Sequence, residues 1–204
     1  MTKEFDLNIE KILENWEVYH AVREIIANAL DEQKLTGTKE ICIHKEDGVW
    51  HITDYGRGLN YHHLTQNENA EKLSAKGLIG KFGVGLKDSL AVFYRNGIPV
   101  TIRSRYGTIT LKQQKKVGFD DITTLHAEIT DPADPDMVGT DVALDGCTDE
   151  SIEKAKNLFL CFSHETILET TGFGAIMEKP ERANAGIYIH GVKVAECICR
   201  FLGG

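Results

Sequence analysis

The chain has 204 residues, enough for one domain with a substantial core and cramped for two. Hydrophobic residues make up 42% and charged residues 26%, which excludes disordered and fibrous classes. A formal net charge of -8 argues against general affinity for nucleic-acid phosphate, and no apolar run reaches the ~18 residues a membrane helix needs.

Met1-Thr2-Lys3-Glu4-Phe5-Asp6 lacks the cationic and apolar regions of a signal peptide, so the expected location is cytoplasmic. Five scattered cysteines, Cys42, Cys147, Cys161, Cys197 and Cys199, suit a reducing compartment better than a disulfide framework. Cys197 and Cys199 would share one face of a strand, but further ligands at tetrahedral-site spacing are missing, so core or surface thiols are the preferred reading.

In chain order, the first strong element spans Glu14 to Gln33, with Val18, Val22, Ile25, Ile26, Ala29 and Leu30 at helical period. Thr36-Gly37-Thr38 ends it. Glu40–His44 and Val49–Thr53 around Asp47-Gly48 predict a hairpin that delivers the chain to Asp54. A polar stretch from Asn60 to Lys76, with room for a short helix, precedes a glycine-punctuated segment from Gly77 to Gly85. Helical spacing resumes over Leu86–Tyr94. Strands are expected at Val100–Arg105, Thr108–Gln113, Thr123–Thr130 and Thr140–Leu144, then a helix over Ile152–Phe162 opened by Asp149-Glu150-Ser151. Strands at Thr166–Thr171, Gly174–Glu178 and Ile187–Val194 complete the chain. No linker or repeat divides it, so residues 1–204 read as a single domain.

Three segments carry chemistry. Glu24, Asn28 and Asp31 form one polar stripe on the first helix, which a solvated face would also produce; Asn28, however, stands among apolar neighbours where an amide gains little unless it ligates something. Asp54-Tyr55-Gly56-Arg57-Gly58 follows a strand, so the carboxylate can accept from an exocyclic amine while the glycines admit a flat ring; an Asp-initiated turn is the plain alternative. Gly80, Gly83 and Gly85 precede a helix, where successive N–H groups suit polyphosphate, and Lys81 and Lys87 add charge; hinge glycines are the alternative.

Taken in order, Glu24-x-x-x-Asn28-Ala29-x-Asp31, Asp54-x-Gly56-x-Gly58, Gly80-x-x-Gly83-x-Gly85 and Gly139-Thr140 resemble the four ATP motifs of the GHKL superfamily, which includes the gyrase B subunit, the ninety-kilodalton heat-shock chaperone, MutL, microrchidia ATPases and histidine kinases. The resemblance spans about Glu24 to Leu144. It implies a two-layer α/β sandwich, with a mixed, mostly antiparallel sheet covered on one face by helices. It implies Mg²⁺ on Asn28, adenine read by Asp54 with Thr140, and a base pocket shaped by Gly56 and Gly58. The run Gly80-Lys81-Phe82-Gly83-Val84-Gly85 together with Lys87 would hold phosphate. Glu24 would be the general base for the attacking water, and Asp31 or Glu32 would support the site, Glu32 pairing with Arg57.

The implied activity is Mg-dependent ATP binding and slow hydrolysis, coupled to closure of an Asn60–Gly85 lid and to self-association or a protein partner. Relatives take a phosphate-contacting Lys or Arg from a following domain; ending at Gly204, the chain reads either as the N-terminal part of a longer protein or as one completed by a partner. A non-hydrolysing ATP-binding module is the alternative. A histidine-kinase reading is weaker, because about fifteen residues precede the helix and His20 lies on the helix itself. His62-His63 reads as polar loop rather than metal site.

Overall fold

The computed structural model describes residues 2–7, 9, 15–65, 77–80, 85–163, 166–172, 174–178 and 185–197. Helix α1 (Val18–Thr36) starts where Glu17 is still extended and donates its N–H to the His20 ring at 3.0 Å, so the predicted start at Glu14 is too early. It ends on Gly37 at φ 64°, whose N–H reaches the Gln33 carbonyl. Val22, Ile25, Ile26 and Ala29 are buried, as the periodicity predicts, whereas Val18 and Leu30 are half-buried.

Seven strands form the main sheet: β1 (Lys3–Asp6), β2 (Cys42–Glu46), β3 (Val49–Asp54), β4 (Val100–Ser104), β5 (Gly107–Lys115), β6 (Thr123–Thr130) and β7 (Thr140–Leu144). Their order is β1-β6-β5-β4-β7-β3-β2, and every described pairing is antiparallel, which corrects the expected mixed sheet. The reason is topological. Strands β3 and β4 do run the same way, joined across a helix, but β7 inserts between them and is antiparallel to both. Strand β1 escapes the sequence reading because four residues with two exposed carry too little pattern to mark a strand.

The register places Ile52, Val142, Ile102, Ile109 and Ile129 side by side across five strands. These residues are buried on the face covered by helices. Helix α1 packs against β3, and the helix after the glycine segment, which is α3 (Gly85–Arg95), packs against β4 and α1. A short α2 (His62–Thr65) occupies the start of the predicted Asn60–Lys76 stretch.

Helix α4 (Asp149–Lys156) also packs on α1 and is capped by the Thr148 hydroxyl accepting the Ser151 N–H. It stops six residues short of the predicted Phe162, and Phe159 turns extended before a single 3₁₀ turn at Leu160–Phe162. Two separate hairpins follow, β8 (Ile167–Thr171) with β9 (Gly174–Met177), and β10 (Ala185–Ile189) with β11 (Val192–Cys197). The single strand predicted at Ile187–Val194 is therefore two strands. His190 and Gly191, at φ 52° and 83°, form the tight turn between them.

Candidate functional site

Strand alternation sets the site. Asp54 has the parity of Ile52, so it faces the helix layer, and it lies in one cross-sheet row with Thr140, Ser104 and Gly107. Its side chain is buried and accepts the Gly56 N–H at 2.8 Å. Burial pushes the Asp54 carboxyl above its ordinary range, opposed by the Gly56 N–H, helped by the charge of Glu32, and opposed again by Thr140. A carboxylate held in a poorly solvated layer is primed to accept a further donor.

The turn after β3 is held by close packing. Thr140 accepts the Leu59 N–H at 2.9 Å, and Ser104 donates its hydroxyl to the Leu59 carbonyl at 2.6 Å. Gly58 sits at φ 87° against the Gly139 carbonyl, while Gly139, at φ 82°, packs on the Asp54–Tyr55 backbone where a Cβ has no room. Gly56 likewise leaves space for Glu32.

Helix α1 supplies the opposite wall. Glu32 takes the Arg57 guanidinium through both oxygens at 2.9 Å and accepts the Arg57 N–H at 2.8 Å, the pairing anticipated from the resemblance. Two turns earlier, Glu24 pairs with Arg23 and lies directly beneath Gly85 at the start of α3. Burial raises the nearby Asp88 carboxyl, and the Glu24 charge raises it further. Half-buried Asn28 stands one helical turn from each of these acids, so the stripe Glu24–Asn28–Glu32 runs from the start of α3 to the Asp54 turn. Half-buried Lys87 follows in the first turn of α3.

Asp31, expected to support the site, is tied to the start of the glycine segment. It is 1% exposed, and its two oxygens accept the N–H groups of Ile79 and Gly80 at 2.8 and 2.9 Å. Lys34 donates to the Gly77 carbonyl at 2.8 Å, and His190 bonds the Leu78 carbonyl at 3.0 Å through Nδ1. Residues 77–80 are thus tied to α1 and to the β10–β11 turn. The roles of Lys34 and His190 are absent from the sequence reading, since only the fold brings residues 43 and 112 positions apart together. Lys81, Phe82, Gly83 and Val84 of the anticipated phosphate segment lie outside the described residues. A cavity of about 420 Å³ opens beside this anchor, lined by Leu30, Lys34, Gly77, Phe159 and His190; it shares Asp31 with the site but not Asn28 or Asp54.

The molecule is thus an α/β protein with a large antiparallel sheet and a few helices. Among the described residues no helix is long and apolar enough to cross a membrane. Residues 150–197 match the family model of the Mycoplasma pneumoniae MPN635 N-terminal domain. The chain is 40% identical over 159 residues to an uncharacterized protein of Mycoplasma pneumoniae, an alignment that covers 76% of this chain. It spans 64% of that relative's length. The family-model match begins after Thr140 and takes in α4 from its second residue and both C-terminal hairpins, so it includes His190 but none of the site residues singled out in the sequence.

Proposed function

We propose that the chain has the GHKL ATP-binding fold and binds ATP with Mg²⁺ between α1 and the Asp54 turn. The observation that carries this reading is Asp54 itself, a buried carboxylate on the helix-facing side of the sheet, flanked by Thr140 and held by a turn whose glycines let Glu32 and the neighbouring main chain pack closely around it. The donor set fits such a ligand. Asn28 offers the hard amide oxygen that Mg²⁺ accepts alongside waters and phosphate oxygens, and Asp54 offers the acceptor for an exocyclic amine. Bound Mg²⁺ would neutralise charge on the phosphates.

Glu24 lies one turn before Asn28 and beside Gly85, where it can orient a water and accept its proton; hydrolysis, slow without a Lys or Arg at the terminal phosphate, is the reaction this placement serves. Residues 77–80, anchored by Asp31, root the lid whose closure would drive self-association or attract a partner that supplies a Lys or Arg. One observation favours a second reading, in which ATP is bound without turnover: Glu24 is paired with Arg23, a contact that occupies a carboxylate oxygen the attacking water would need.

Calorimetry with Mg²⁺ and ATP, with phosphate release measured alongside, tests both. Wild type should bind, Asn28→Ala should lose binding, and Glu24→Ala should bind without releasing phosphate. Absence of binding by the wild type overturns the proposal, whereas binding with equal phosphate release from wild type and Glu24→Ala removes the base assignment. Sedimentation with a non-hydrolysable ATP analogue tests self-association; an unchanged monomer mass contradicts it.

A further inference from the structure

The face of the sheet away from α1 carries a second group of ligand-type side chains at its β2 edge. Cys42 and His44 alternate with Ile43 on β2, so both point to this face, and His51 on β3 is paired directly with His44. Cys42 Sγ and His44 Nδ1 stand 3.6 Å apart. Two ligands on one tetrahedral ion, with about 2.3 Å to sulfur and about 2.0–2.1 Å to nitrogen, have their donor atoms about 3.5 Å apart. The His44 and His51 ring centroids are 5.2 Å apart. Two imidazoles sharing such an ion hold their centroids at about 5 Å, by the same bond lengths.

The surroundings are those of metal-bound histidine, in which a carboxylate occupies the nitrogen that the metal does not. Asp141 lies 3.1 Å from His51 Nδ1 through both oxygens, which assigns Nε2 to the metal. The Thr53 hydroxyl donates to Asp141 at 2.9 Å and Arg103 reaches it at 3.4 Å, so this carboxylate is itself fixed. On His44 the Glu46 carboxylate stands 4.0 Å from Nε2, leaving Nδ1 on the Cys42 side. Among the described residues no group of three His, Cys, Asp or Glu side chains stands ready to hold a metal ion; Cys42 and His44 have the separation of a ligand pair, and a three-ligand site requires His51, whose ring lies at 23° to that of His44, to turn toward them.

We propose that Cys42, His44 and His51 bind one thiophilic divalent d-block cation of the Zn²⁺ or Co²⁺ class, with water in the fourth position. One thiolate and two imidazoles favour such ions over Mg²⁺, which prefers oxygen. On binding, the Cys42 thiol gives its proton to solvent and the metal bridges β2 to β3 at the sheet edge. Because Asp54 faces the other side of the sheet, this site stands independently of ATP binding.

Titration of the full chain with Co²⁺, followed by absorbance, tests the assignment. The wild type should take up one equivalent, with tetrahedral d–d bands and a near-ultraviolet thiolate-to-cobalt band, and Zn²⁺ should displace it. Cys42→Ser should lose the near-ultraviolet band, His51→Ala should weaken binding, and Asp141→Asn should weaken it about 10–100-fold through the orientation of His51. Far-ultraviolet circular dichroism checks that each variant is folded, and Cys42→Ala serves if Cys42→Ser is not. A wild type without the thiolate band overturns the proposal. So does a band that persists without Cys42, or binding that keeps its strength without His51.

Discussion

Asp31 holds Gly80: a carboxylate 1% exposed on helix α1 accepts the Gly80 N–H at 2.9 Å, with the neighbouring Ile79 N–H on its other oxygen at 2.8 Å. An aspartate inside a helix ordinarily costs helix propensity, because its side chain competes for main-chain donors. Here the donors come from 48 and 49 residues away, so the residue that weakens α1 locally fixes where the glycine segment starts.

Removing that carboxylate leaves two half-buried amides without their acceptor. Asp31→Ala should therefore cost about 2 kcal/mol, and Asp31→Asn, which keeps one acceptor oxygen, about half as much. Urea unfolding gives the energies. Hydrogen exchange localises them, because the amides of residues 79 and 80 should exchange faster while those of β6 and β7 do not.

Asp54 gives a pH signature of opposite sign from most carboxylates. Burial raises its folded-state value above 3.8, so the folded chain holds the proton more tightly than the unfolded chain. This contribution is complete below the unfolded value and is lost as pH rises through the folded one. Asp54→Asn mimics the protonated form and should raise Tm at pH 7, with a smaller gain near pH 4. The same variant should bind ATP at least about tenfold more weakly, the loss of one charge-assisted hydrogen bond. Thermal melts across pH and calorimetry read the two effects separately. A lower Tm at pH 7 contradicts the first.

Local pattern made some of this legible and topology hid the rest. The core face of α1 follows from a period of 3.6, the Asp47-Gly48 turn from residues that tolerate positive φ, and the Thr140–Leu144 strand from its β-branched residues rather than from alternation, since all five are buried. The same turn chemistry at His190-Gly191 went unread, since histidine signals a tight turn less strongly than Asp or Asn. Insertion of β7 between β3 and β4 leaves no mark in either strand, and with it comes the row that puts Thr140 beside Asp54. Pairing of Glu32 with Arg57 came from resemblance rather than spacing, while Lys34 and His190 at residues 77–78 are visible only in three dimensions.

Glu32 behaves in the ordinary carboxylate sense. Burial opposes its ionisation, but the Arg57 side chain and N–H outweigh that cost and hold the carboxyl below its usual 4.5. Stability from the pair is present above pH 4.5 and is lost as pH falls through the folded value. Arg57 is half exposed, so solvent screening limits the loss in Arg57→Ala to about 1 kcal/mol at pH 7. Difference melts of wild type and variant should converge once pH falls below the lowered folded-state value, where Glu32 is protonated in both. They should also narrow in molar salt.

Two glycines of like conformation separate backbone strain from crowding. Gly37 caps α1 at φ 64° with nothing within 4 Å of a would-be Cβ, whereas Gly139 sits at φ 82° with the Tyr55 Cα only 2.7 Å from that position. Gly37→Ala should therefore cost only the left-handed penalty, about 1 kcal/mol. Gly139→Ala adds a clash with the main chain that carries Asp54, which cannot yield without moving the turn, so a loss of at least about 2–3 kcal/mol is expected. Denaturant unfolding of the two variants side by side decides it. Equal losses would mean that the Asp54 turn adjusts freely to Gly139, and would withdraw the rigid placement of the carboxylate on which base recognition rests.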